Sequence, residues 1–357
     1  ARAVASALRT ALGLGTRKAS ASSTRSVEAY DLYLRGTSLA SMGGPAAQAQ
    51  ALELWQRAVA LDPTFALAWS QIAWTTRALT LTGVARVLDV REAVREAAAK
   101  AVKLEPNNWP AHLAQSAVHH LERNWAEMER SLAMATECAP GAPWDANLNW
   151  AAFHIQVGDV TACNEYQREA VQLNPLSLVA SALYQMWLHC AGCEDIAEKE
   201  YQRSVNLPGN RDMVEHVAVH RAWARGGDFT AEYRRYVDHQ VISMPVLTDL
   251  LGKQHDAEIM VAALSQASAE PFYQDPARLM MLAWWLANFG EDDASLVIMR
   301  RVYIDMASIH MSWLWFPVFE RVRRLPGFEE ILVRSGLVGY WQSRQSWGEF
   351  YAPPWGV

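Results

Sequence analysis

Apolar runs of helical length alternate with short polar turns along most of this chain, and the alternation is periodic. Gly158, Gly192 and Gly226 stand 34 residues apart, each after an apolar run and within two residues of an acidic one: Asp159, Glu194 and Asp228. Second runs downstream close at Leu173-Asn174-Pro175 and Leu207-Pro208-Gly209, and the same closing phrase appears as Leu61-Asp62-Pro63, Leu104-Glu105-Pro106 and Cys138-Ala139-Pro140. Five residues before the end of each phrase sits a small residue: Ala58, Ala101, Ala135, Ala170 and Ser204, at intervals of 43, 34, 35 and 34. A helix–turn–helix unit repeated at that period predicts a stack of helical hairpins rather than one globular core.

Each slot has a physical reason. Two helices cross closely only where a side chain is small. Proline just past a helix end stops the second helix of a pair. A glycine in the hairpin turn takes a positive φ, and the acidic residue after it can cap the next helix. Trp55, Leu132 and Tyr201, three residues before the small position, suit the seam between neighbouring repeats; Ala98 and Gln167 fit that slot less well.

Read in order, the chain divides into three. Residues 1–26 read as the end of an upstream domain plus a linker: Val4, Leu8 and Leu12 form an amphipathic pattern, and Thr16–Ser26 is rich in Ser, Thr and basic residues. A signal peptide is the alternative, but no long apolar core follows the first arginine. Residues 27–243 hold about six repeats, the second with about nine extra residues assigned to the Leu81–Val90 turn. Residues 244–357 read as degenerate repeats, with helices over His255–Ser268, Asp275–Phe289 and Glu291–Met306, closed by an aromatic cap such as solenoids require.

Composition agrees with helical packing: 51% hydrophobic, 20% charged, net charge −6 over 357 residues. Basic residues form no stripe, so nothing points to nucleic acid. The longest apolar run, Met280–Phe289, is about half of a membrane span, so no membrane contact is expected.

Catalytic signals are sparse. Cys190-Ala-Gly-Cys193 has redox or half-zinc spacing, but no second ligand pair and no preceding strand accompany it. Cys138 and Cys163 read as small packing residues of second helices. His216 and His220 lie four apart on one helix face, as metal ligands often do, but Glu215 precedes the first histidine and no third ligand is evident, so groove-lining imidazoles are the better reading. His119-His120 is read likewise. No phosphate loop, nucleophile elbow or catalytic carboxylate pair is present. No catalytic, cofactor or metal site is therefore expected. An enzyme on a helical-hairpin scaffold, with a pocket around Met280–Met306 and His310, is the competing reading.

The Trp55-x-x-Ala58 to Leu61-Asp62-Pro63 stretch resembles the tetratricopeptide repeat. Glu28–Gly36, Leu325–Leu332, Gly336-Leu337, Tyr340-Trp341 and Trp347–Phe350 resemble, more particularly, the C-terminal repeat regions of bacterial class III adenylate cyclase proteins and CadC-like transcription regulators. Glu349 stands where that pattern has Asp, and Tyr351 where it has Cys. The resemblance implies an all-α, right-handed superhelical solenoid with a helical cap. It implies a non-catalytic regulatory module that binds a protein, peptide or small ligand on its concave face and relays to an upstream effector, with adenylate cyclase favoured. The extracytoplasmic sensor of a winged-helix regulator is the alternative. A cytoplasmic location follows from the first, a periplasmic one from the second. Counting back from the turn glycines, the inward slots hold Leu113, His120, Asp145, Gln156, Met186, His189, His216, His220 and Trp223.

Overall fold

The computed structural model describes residues 24–41, 44–139, 143–207, 212–226, 228–240 and 242–350. The amphipathic pattern of residues 1–15, most of the linker reading, Gly43, Pro140, Gly209, Gly227, Tyr351 and the side chain of Asp145 lie outside the described residues. Among the described residues every regular element is a helix. They run as pairs: α1 (Val27–Ser41) with α2 (Pro45–Leu61), α3 (Ala66–Leu81) with α4 (Val87–Leu104), and α5 (Trp109–Leu121) with α6 (Trp125–Cys138). Next come α7 (Pro143–Gln156) with α8 (Val160–Leu173), α9 (Leu178–Cys190) with α10 (Glu194–Ser204), and α11 (Asp212–Arg225) with α12 (Thr230–Asp238). The expected all-α class of serial helix hairpins is what the structure shows. The extra length of the second repeat goes partly into its helices, since its turn spans only residues 82–86.

Beyond the sixth pair the period shortens and then returns. A short α13 (Pro245–Asp249) precedes α14 (Ala257–Ala267), and α15 (Pro276–Asn288) pairs with α16 (Asp292–Arg300). Both long first helices after residue 250 start at an aspartate cap: Asp256 accepts from the Ile259 amide, and Asp275 from those of Ala277 and Arg278. The chain then leaves helical repeats for a π turn (Arg301–Asp305) and 3₁₀ turns (Met311–Trp315, Pro317–Phe319). It finishes in α17 (Glu320–Arg323), α18 (Phe328–Arg334) and α19 (Leu337–Arg344).

The chain divides into two compact units. The first comprises residues up to Thr80, Val84–Phe153 and Ala162–Ala180; the second comprises Leu81–Gly83, His154–Thr161 and the chain from Ser181 onward. In the first unit α1 packs on α2, and α5 packs on both α4 and α6. The small positions Ala58, Ala101, Ala135 and Ala170 are all buried, as is Trp55. Its indole donates to the Tyr33 carbonyl at 3.2 Å and fills the space where a Cβ on Gly36 would sit, 2.6 Å from the ring nitrogen. Gly36 thus costs α1 some helix propensity but admits the indole. Gln167 is buried in the seam because its amide donates to the Ala180 carbonyl at 2.8 Å, which offsets the cost of burying a polar group there. Cys163 is buried as a packing residue, but Cys138 is exposed at the last position of α6, where no neighbouring helix covers it.

In the second unit α11 packs on α12, and α15 packs on α14 and α16. Its largest buried side chains are Trp284, Trp285, Trp315, Arg221, Tyr233, Tyr236, Tyr303 and Phe319. The three turn glycines do take positive φ: 79° at Gly158, 70° at Gly192 and 71° at Gly226. They differ in what surrounds them. A Cβ on Gly158 would meet the Trp315 ring at 3.0 Å, whereas one on Gly192 or Gly226 would meet nothing within 4 Å. Gly192→Ala should therefore cost about 1 kcal/mol from left-handed backbone strain alone. Gly158→Ala should cost about 2–3 kcal/mol, because the indole must also shift. Urea melts of the two variants check this, and equal losses would contradict the account.

Candidate functional site

The inward slots of the second unit come from three first helices. The end of α7 supplies Gln156, α9 supplies Met186 and His189, and α11 supplies His216, His220 and Trp223. The structure brings most of these together, but it covers them with the chain's own C-terminal part. Gln156 accepts a hydrogen bond from the Ser312 amide at 3.2 Å. The Trp313 ring stands edge-on to His216 with centroids 6.3 Å apart, and Phe316 lies 6.2 Å from His189 and 5.4 Å from His220. Trp284 of α15 closes on His220 at 4.0 Å. His189, His216 and His220 are consequently buried, while Met186 and Trp223 are half-buried. Trp223 packs edge-on against Phe229, Trp285 and Phe289. The expectation of open, groove-lining imidazoles at 189, 216 and 220 is not what the side chains show: they form an aromatic core.

Further contacts hold the C-terminal part in place. The Trp341 indole donates to the Val157 carbonyl at 2.8 Å. The Glu349 carboxylate accepts from the Thr161 amide at 2.7 Å and so caps α8 from 188 residues away, while its own amide donates to the Gly158 carbonyl. Arg323 donates to the Leu314 and Phe316 carbonyls, fixing the 3₁₀ turn from behind; burial lowers its pKa to about 10.

Electrostatics around α9–α11 centre on Glu194. Rather than capping its own helix, its carboxylate pairs with His189 Nδ1 and accepts from Arg221 Nε at 2.9 Å, and Arg221 also reaches Glu198 at 3.0 Å. Burial by itself raises the Glu194 pKa, but the hydrogen bonds and charges of His189 and Arg221 outweigh it and hold the group below its ordinary value. Asp228 accepts from the Thr230 amide in the turn just before α12, whose N-cap is Phe229. His216 and His220 lie 4.7 Å apart, centroid to centroid. No group of three His, Cys, Asp or Glu among the described residues converges closely enough to hold a metal. Cys190 and Cys193 are free thiols; burial pushes Cys190 well above the usual thiol range, so it is not poised as a nucleophile. Met280 and Met281 are buried on α15, and His310 accepts from the Trp313 indole at 3.0 Å, so these side chains are engaged in packing.

In the first unit, His120 is buried with its ring 5.6 Å from Trp125. Leu113 is half-buried and lines a shallow cleft of about 10 Å³ between α5, α6 and α7. Trp109 and Trp150 flank that cleft, with Leu132, Thr136 and Asn149 also lining it. Trp150 is held by a hydrogen bond to Thr136 Oγ1 at 3.0 Å and by stacking on Tyr166 at 6.1 Å. The slot count reached Leu113 but missed Trp109 and Trp150. The available signal was two tryptophans on successive first helices; it was masked by the many tryptophans that serve as packing.

No protein-family model matches the chain, and no curated protein matches it. Among solved structures, the crystallised TPR domain of P58(IPK) is similar at 11% identity over 89% of this chain and 99% of that one, with a TM-score of 0.26. The repeat fold rests on the helix pairing itself. No helix among the described residues is long and apolar enough to cross a membrane.

Proposed function

We propose that this chain is a non-catalytic interaction module that receives a protein or peptide segment on the first helices of its third and fourth repeats. The cleft flanked by Trp109 and Trp150 carries this reading, because it leaves two large aromatic side chains half-buried at a shallow, mostly apolar surface. Aromatic side chains bordering a pocket are the groups that most often dominate binding energy. The equivalent faces of α9 and α11 are occupied by the chain itself, which favours the first unit as the receiving surface. The full chain used as bait should capture a partner whose binding falls about tenfold or more on Trp109→Ala or Trp150→Ala, with thermal unfolding little changed. Equal capture by all three proteins would sink this reading.

The finer reading rests on the sequence resemblance of residues 28–36 and 325–350. In it the module regulates an upstream effector, an adenylate cyclase domain in preference to a winged-helix regulator, and works in the cytoplasm. The parent gene tests it: a cyclase domain encoded upstream supports it, and a winged-helix domain followed by a membrane span replaces it.

A further inference from the structure

Two imidazoles in the second unit have no use in that proposal. His216 and His220 are both buried, and neither His216 Nδ1 nor either ring nitrogen of His220 has a hydrogen-bond partner. The rings packed around them carry no charge. Tyr236 of α12 lies 5.5 Å from His216, Trp284 of α15 lies 4.0 Å from His220, and Trp313 and Phe316 come from the C-terminal part. The hydroxyl of Tyr236 and the indole nitrogens of Trp284 and Trp285 are likewise buried without partners.

Among the described side chains, the formal charges near this cluster are engaged elsewhere. On α11 itself, Glu215 pairs with Arg235 at 3.2 Å, and Arg221 is committed to Glu194 and Glu198. On α9, His189 holds Glu194, and Cys190 is a buried neutral thiol. On α12, Tyr233 donates to the Leu247 carbonyl. At the contact α15 presents indoles only. Behind the 3₁₀ turn, Arg323 adds a positive charge, and His310 accepts from Trp313.

We infer that the packing of residues 311–316 and Trp284 onto α9 and α11 is an acid-sensitive closure, held shut while His216 and His220 are neutral and released when they take up protons. The reason is that His216 Nδ1 and both ring nitrogens of His220 are buried without a hydrogen-bond partner. A buried imidazolium needs a counter-charge or a hydrogen-bonded acceptor, and here it would meet uncharged aromatic rings, a second imidazole and the Tyr236 phenol. Cation–π attraction to Trp284 would recover part of that cost, but such contacts are smaller than the desolvation of a fully buried cation. Burial lowers the His216 pKa to about 4; it lowers His220 further, with His216 and His189 adding repulsion.

The sign follows from these directions. Both groups have folded values below the unfolded value of 6.5. The closure is therefore fully stable above about pH 6.5 and weakens as pH falls towards the folded values. If only the open form takes up a proton, one imidazole raises the open population about 25-fold between pH 7 and pH 5, and two raise it several hundredfold, roughly. Release would uncover the inner faces of α9 and α11. The inference does not depend on the first-unit cleft or on any partner.

Hydrogen exchange of the full chain, corrected for the pH dependence of chemical exchange, tests this. Residues 276–288 and 308–319 should lose protection between pH 7 and pH 5, while α2 and α6 keep theirs. In His216→Phe/His220→Phe the rings are retained without the basic nitrogens, so protection should persist at pH 5. Should the double variant fold poorly at pH 7, His220→Phe alone serves, and the slope should fall from two protons to one. Wild-type protein that keeps its protection at pH 5, or variants that open like the wild type, would overturn the inference.

Discussion

Replacing Trp285 by alanine is expected to lower the stability of the second unit by about 4 kcal/mol. Trp285 is fully buried on α15, and its indole meets four other rings: Trp223 at 5.5 Å, Tyr233 at 5.4 Å, Tyr236 at 6.3 Å and Trp284 at 4.9 Å. These rings come from three helices, so the cavity left by truncation cannot be filled by one rotamer change. The surrounding structure relaxes only partly around such a void, and each ring bordering it loses dispersion contacts. Trp285→Phe keeps much of the volume and leaves no indole N–H in the core, so it should cost markedly less. Trp223→Ala provides the contrast, because Trp223 is half-buried and gives up less apolar surface. Urea unfolding followed by far-UV circular dichroism checks the order. A loss below about 1 kcal/mol for Trp285→Ala would mean that the aromatic cluster is not the core of this unit.

Arg221→Leu is expected to cost about 3 kcal/mol. Its guanidinium is buried on α11 and binds the Glu194 carboxylate and carbonyl together with the Glu198 carboxylate. Removing the cation leaves Glu194 with only His189 and Glu198 with only Arg225 as a charged partner. Glu194 and Glu198 retain some access to water, which puts the cost at the lower end of the range for broken buried pairs. Adding Glu194→Gln and Glu198→Gln to Arg221→Leu should recover part of the loss, because the under-compensated charges then disappear. The cost should also shrink in acid. The folded pKa of Glu194 is depressed below 4.5 by His189 and Arg221 acting against burial, so its pairing contributes fully above about pH 4.5 and is lost as pH falls through the lower folded value. A cost that does not change between pH 7 and pH 3.5 would show that the ion cluster contributes nothing measurable.

The predictions for Gly158 and Trp285 rest on two kinds of information that the chain carries in different ways. The periodic part was legible residue by residue. Ala58, Ala101, Ala135, Ala170 and Ser204 are all buried, and Gly158, Gly192 and Gly226 all turn with positive φ. The later helices also begin and end within a few residues of where Asp256, Asp275 and Gly290 place them. Such features are local: a helix pair needs its small residue, turn glycine and stop within one period, whatever lies elsewhere. The assignment of inward faces was less complete. Register alone put His189, His216 and His220 on one side of their helices, and nothing within a period could show that Trp313 and Phe316 would cover them.

The sequence by itself determined the all-α class and the succession of helix hairpins. It could do so because hydrophobic spacing, small residues and helix stops act over a few turns of chain. Tertiary structure decided which inner faces are filled and which stay open. Ser312 reaches Gln156, Trp341 reaches Val157, and Glu349 caps α8, across 156, 184 and 188 residues. Contacts at that separation depend on where the whole chain brings its end, and no local pattern encodes them.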